Sequence, residues 1–127
     1  MTERAVRIVR PAERTPSDRV TPGMHREQAF AGDGVWAGTV RTEPGMATGW
    51  HHHGDYDTYI HVTSGRFRLE FGPGGNRIED CGPGTFIHIP PGEIHREASA
   101  SSEGVEAVLF RVGSGEVVVN TDGPAPS

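Results

Sequence analysis

Two histidine clusters, each set in a frame of glycine and proline, hold the residues best suited to chemistry in this chain. The first reads Gly45-Met-Ala-Thr-Gly-Trp-His51-His52-His53, and the second reads Gly84-Thr-Phe-Ile-His88-Ile-Pro90-Pro91-Gly92-Glu-Ile-His95. On a strand, residues i and i+2 project to one face. His51 and His53 are therefore expected to look into one cavity while His52 looks away, and His95 closes the set from a distant segment. Three imidazole nitrogens leave positions open on a divalent cation, the ligand set of a reactive centre rather than of a closed structural one. Pro90-Pro91-Gly92 makes a rigid turn that decides where His95 points. A triple-histidine run is sometimes only a solvated loop, but here it lies mid-chain inside that frame.

The elements that position these residues read as strands. The chain has 127 residues, with 18 glycines and 10 prolines, which suits one turn-rich β-domain spanning 1–127. Val6 to Val9 is expected as a short first strand, and Arg10 to Gly23 as a loop. Val35 to Thr42 and Thr58 to Thr63 carry β-branched and aromatic residues. Phe67, Leu69 and Phe71 alternate with Arg66, Arg68 and Glu70, the period-2 pattern of a half-buried strand. Thr85 to Ile89, Val105 to Val112 and Glu116 to Asn120 complete the set, and the tail over 121–127 is expected to be mobile. No amphipathic helix of three turns is present in the pattern. The expected fold is all-β, an antiparallel sandwich or barrel.

Composition narrows the function. The formal charge is −5, and all 12 basic residues are arginines, so Schiff-base chemistry through lysine is excluded. No basic stripe points to nucleic acid. No run approaches the roughly 20 apolar residues of a membrane span. The single cysteine, Cys81, forbids an intrachain disulfide, and the N-terminus lacks an apolar signal core. A soluble cytoplasmic protein is expected. The apolar run Val117-Val118-Val119 would be an exposed edge, which suggests a homodimer.

The spacing of the two clusters resembles the cupin family, small jelly-roll barrels with a metal at the mouth. Gly45, His51, His53 and Gly65 fall in register with its first motif, and Gly84, Pro90, Gly92 and His95 with its second; Ser99 replaces the last residue. The resemblance spans motifs at 45–65 and 84–99. It implies a jelly-roll cupin barrel with a metal on His51, His53 and His95. Thr58 stands where the family's carboxylate ligand would be. Asp57 is one residue early, so either a three-histidine site or one completed by Asp57 through a bulge is open. Three-histidine sites resemble those of thiol and β-diketone dioxygenases, which implies ferrous iron first, with zinc, nickel and manganese suiting the same ligands.

The leading expectation is thus a metal-dependent oxygenase acting on a small organic molecule. The alternatives are a non-catalytic small-ligand sensor and a Lewis-acid lyase or isomerase. Tyr59 and His88 are the candidates for an acid–base role, though on their strands they equally serve as wall or subunit-contact residues. His61 shares the face of Tyr59. Trp36 and Trp50 read as packing, Cys81 as structural, and Arg68 and Arg111 as solvent-facing unless one turns inward, where it would anchor an anion.

Overall fold

The computed structural model describes residues 5–17, 21–114 and 118–125. Among them the strands, in chain order, are β1 (Thr15–Pro16), β2 (Met24–Gly32), β3 (Val35–Thr42), β4 (His51–His52), β5 (Asp57–Ser64) and β6 (Phe67–Phe71). They continue with β7 (Arg77–Cys81), β8 (Phe86–Ile89), β9 (Arg96–Ser99), β10 (Val105–Val112) and β11 (Val119–Asn120). Helix among the described residues is limited to 3₁₀ turns at Pro11–Glu13 and Pro73–Gly75. No helix among the described residues is long and apolar enough to cross a membrane.

All pairings between strands are antiparallel. A six-stranded sheet has the order β1-β2-β3-β10-β5-β8, a three-stranded one β7-β6-β9, and a short pair β11-β4. This is a jelly-roll arrangement, but its hydrogen bonding does not run unbroken around a closed barrel. Isolated bridges at Ala47–Ala98 and His51–His95 join the smaller units instead.

Alternation places the core. Along β10, Val105, Ala107, Leu109 and Arg111 are buried, while Glu106, Phe110 and Val112 are exposed. Ile60 and Val62 of β5, Phe67 and Leu69 of β6 and Ile89 of β8 meet them in one apolar cluster. Burying each such side chain stabilises by about 1.5–3 kcal/mol. Gly65 has a backbone role: its φ is +82°, and a Cβ there would lie 2.1 Å from the Gly104 carbonyl oxygen, so the hairpin after β5 needs glycine.

Several expectations are corrected. Residues 5–10 form no strand, the short β1 lies inside the segment expected as a loop, and β2 follows that segment where no strand was expected. Cys81 ends β7 and is buried. In the described part of the tail, Thr121 N–H donates to the Trp50 carbonyl and Gly74 N–H to that of Ala125. Val119 pairs with His52 across β11 and β4, and Val117 lies outside the described residues.

Candidate metal centre

His51 and His95 face each other as a hydrogen-bonded antiparallel pair. His51 N–H donates to the His95 carbonyl and His95 N–H to that of His51, each at 2.9 Å. Opposed residues of one ladder share a face, so both rings enter the same interior. Two residues beyond His51, His53 returns to that face. His52 turns away, its Nδ1 accepting from Gly54 N–H at 3.0 Å. The two histidine segments are tied again where Gly92, at a φ of +74°, donates its N–H to the Gly54 carbonyl.

The three rings pack with centroids 4.4–5.1 Å apart. A fourth group joins them. Glu97 follows His95 by two residues, so alternation along β9 brings its carboxylate to the same face. Thr48 fixes that stretch: Glu97 N–H donates to Thr48 Oγ1 at 2.9 Å, and Thr48 N–H to the Glu97 carbonyl at 2.8 Å. Glu97 Oε1 lies 3.2 Å from His51 Nε2 and 3.4 Å from His95 Nε2. One ligand atom from each of His51, His53, His95 and Glu97 falls within 4.8 Å of the other three, and all four residues are buried.

The hydrogen bonds assign the tautomers. His51 Nδ1–H donates to the Gly49 carbonyl and His95 Nδ1–H to the Glu93 carbonyl, each at 2.9 Å. In the neutral rings Nε2 then carries a lone pair aimed at the centre. His95 is wholly buried, and at 3.4 Å from Glu97 its Nε2 lacks the alignment of a hydrogen bond. Lone pairs converging with a carboxylate in a buried space repel unless a cation lies between them. The titration behaviour follows the same logic. Burial pulls the His51 pKa down, but the hydrogen bond and charge of Glu97 outweigh it and raise it above 6.5; Arg111 opposes that rise. Burial pushes Glu97 up, yet the hydrogen bond from His51, the close approach of His95 and the charge of both rings hold it well below the usual carboxylate range. The donor set therefore fits a divalent cation.

Thr58, 1% exposed, lines the interior beside His53, Glu97 and Arg111. Asp57 lies on the outer face of its sheet, where it accepts from His88 Nε2 at 2.8 Å. Asp57 therefore stands apart from the cluster, and the carboxylate grouped with the three rings is that of Glu97 on β9. Glu97 was legible by the same i, i+2 alternation that paired His51 with His53.

Tyr59 and His88, the acid–base candidates, are not part of the four-residue cluster. They oppose each other across β5 and β8 and stack at 4.6 Å on the outer face. The two arginines part ways. Arg68 is exposed and pairs with Asp80, whereas Arg111 is buried, with its guanidinium over Trp36 at 5.9 Å. Trp50 is packing, covered by Arg96 at 4.4 Å. Burial, with Glu79 and Asp80 nearby, pushes the Cys81 thiol up, as for an inert structural cysteine.

The interior space beside His53, Thr58, Glu97 and Arg111 is about 30 Å³, room for about two water-sized groups. A larger depression of about 710 Å³ opens elsewhere, among Glu27, Thr39, Arg41, Glu106 and Val108, and touches none of the four clustered residues. Size alone would choose it as the site; the convergent ligands decide for the smaller space.

A family model described as "Cupin domain" matches residues 38–113. No protein of curated function matches the sequence. Among solved structures, the polyketide cyclase RemF from Streptomyces resistomycificus is similar, with a TM-score of 0.76 and 21% identity over 92% of this chain and 86% of that one. KdgF from Halomonas sp. is similar with a TM-score of 0.70 and 21% identity over 87% of this chain and 96% of that one. A variant oxalate decarboxylase from Bacillus subtilis gives a TM-score of 0.68 and 20% identity, over 87% of this chain but only 31% of that one. At these identities the likeness is one of fold.

Proposed function

The chain belongs to the cupin family, and from that premise we propose that it is a metal-dependent enzyme whose His51, His53, His95 and Glu97 hold one divalent ion and whose substrate is a small anionic carbonyl or enol compound. The observation that carries this reading is the convergence of three imidazoles and one carboxylate in a buried space. When bound, the ion supplies Lewis acidity toward a substrate oxygen. The chain's own residues do the rest. Gly49 and Glu93 carbonyls hold two rings in the tautomer that presents Nε2. Arg111 contributes positive charge to the same interior, which favours a substrate carboxylate or enolate. The narrow apolar surround excludes bulk water.

Glu97 favours redox-inert chemistry such as isomerisation, cyclisation or decarboxylation. Four protein ligands would leave an ion fewer open positions than three, which would favour a substrate bound alone over a chelating substrate together with dioxygen. A second reading, a ferrous dioxygenase, is favoured by the hydrogen-bond distance of Glu97 from two ring nitrogens. As a hydrogen-bond acceptor rather than a ligand, it would leave a three-nitrogen face with three positions open.

The test uses protein purified without a histidine tag and analysed for metal. The protein is then loaded anaerobically with zinc or ferrous iron and given small β-dicarbonyl and hydroxy-acid compounds, with and without oxygen. Turnover with zinc and without oxygen is expected. Turnover that requires both iron and oxygen would replace this reading with the second. Tight binding of a small ligand without turnover would make the protein a sensor.

A further inference from the structure

The segment 118–125 lies directly behind the ligand set. Backbone groups of successive strand residues point to opposite sides. His51 turns both of its backbone groups to His95, each bond at 2.9 Å. Its neighbours turn theirs to the C-terminal segment. The Trp50 carbonyl accepts from Thr121 N–H at 3.0 Å, and Val119 stands opposite His52 in the β11–β4 pair. The strand that carries His51 is thus two residues long, with a single bridge to His95 on one side and β11 on the other.

The same segment covers side chains that face away from the four ligands. Trp50 precedes His51, and Arg96 lies between His95 and Glu97, so parity sends both to the outer side. There the Arg96 guanidinium covers the Trp50 ring at 4.4 Å. Gly123 closes on the same ring: a Cβ on it would lie 3.4 Å from the indole. Gly74 N–H donates to the Ala125 carbonyl at 2.7 Å. Pro124 and Ala125 border a depression of about 290 Å³ together with Gly92, Glu93 and Ile94, the turn that precedes His95. One segment therefore borders both histidine motifs.

We infer that residues 118–125 act as a latch on the metal centre: seated, they keep His51 in the ligand set; lifted, they free β4 and let the ion leave. The inference rests on the metal reading given above. Its physical basis is the unequal anchoring of the four ligands. Glu97 sits on β9 opposite Leu69 of β6, and His95 adjoins that strand. His53 is held by Tyr56 N–H, which donates to its carbonyl at 3.0 Å, and through Gly54, whose carbonyl accepts from Gly92 N–H at 2.9 Å. Of the four, His51 is the one whose strand pairs with the C-terminal segment. An element held by few bonds at one edge opens locally before the whole fold does. Opening loosens one ligand of four. The open latch is then the exit route, and the release rate follows its population.

Zinc release into excess chelator tests this, beside hydrogen exchange of the metal-free protein over residues 50–52. Thr121→Pro removes the N–H that bonds Trp50. Thr121→Ser keeps that N–H and the side-chain oxygen that accepts from Gly123 N–H at 3.3 Å. Thr121→Pro should release zinc about 10–100-fold faster, the range for groups that position metal ligands. It should also speed exchange over 50–52 while β10 keeps its protection. Thr121→Ser should match the wild type in both. Zinc release indifferent to Thr121→Pro, equal acceleration by Thr121→Ser, or exchange that rises as much in β10 as over 50–52 would each overturn the latch alone. A wild type that binds no zinc would overturn the metal reading and the latch with it. Should Thr121→Pro fail to fold, Gly123→Val, which crowds Trp50 from a backbone at a φ of +130°, decides by the same measurements.

Discussion

The Glu97 carboxylate lies 3.2 Å from His51 Nε2, although 46 residues separate them in the chain. That contact makes one site of two motifs. It also replaces the carboxylate absent at Thr58 with one delivered by a different strand.

Glu97→Gln keeps the shape and the hydrogen bonding but removes the charge. It is expected to weaken zinc binding by about 10–100-fold, in the range of changes to groups that tune a metal site. His53→Ala and His95→Ala should cost more while leaving the β-sheet spectrum intact. Calorimetric titration measures all three; unchanged affinity in Glu97→Gln would return the site to three histidines.

The metal-free protein should be most stable between about pH 4.5 and 6.5. His51 titrates above 6.5 when folded, so its contribution is full below 6.5 and is lost as pH rises through the raised value. Glu97 titrates well below 4.5 when folded, so its contribution is present above 4.5 and is lost as pH falls through the depressed value. Both describe the same ion pair and count once. Metal reverses the alkaline side, because protons compete with it for His51. Melting curves with a chelator should therefore fall above the window, and those with zinc should rise; a chelated protein that gains stability steadily toward alkaline pH would contradict this.

Thr58 Oγ1 is buried without a hydrogen-bond partner. Thr58→Val is nearly isosteric and removes that unsatisfied group. It is expected to stabilise the metal-free protein by about 1 kcal/mol, or about 4 °C in Tm. A loss of stability instead would mean that the hydroxyl holds water in the interior space.

Leu109 is 4% exposed in the apolar cluster beneath the site. Leu109→Ala should cost about 3 kcal/mol in urea unfolding. A cost under about 1 kcal/mol would show that the two sheets collapse to fill the space.

Tyr59→Phe and His88→Gln act on the outer face and should leave metal affinity unchanged. A loss in either, measured by the same titration, would place these side chains at the centre after all.

Much of the architecture was legible as pattern. Strand β10 matches its expected span of Val105 to Val112, because alternation over eight residues is a strong local signal. His51, His53 and His95 were legible because period-2 geometry and a rigid turn are properties of the chain itself. Strand β2 was not: its pairing with β3 shifts between Gln28 and Phe30, and the irregularity blurs the period. Glu97 carried the same i, i+2 relation to His95, but alternation says only that two residues share a face. Whether that face looks inward depends on what lies across it.

The order of residues alone determined an all-β chain with two histidine-bearing segments able to share a cation. Only the tertiary structure decided which carboxylate joins them, that Asp57, Tyr59 and His88 face outward, and that Arg111 rather than Arg68 turns inward. The physical reason is that side-chain parity is local, whereas inside and outside are set by pairing between strands far apart in sequence. The His51–His95 bridge, the β6–β9 pairing and the β5–β10 register make that choice.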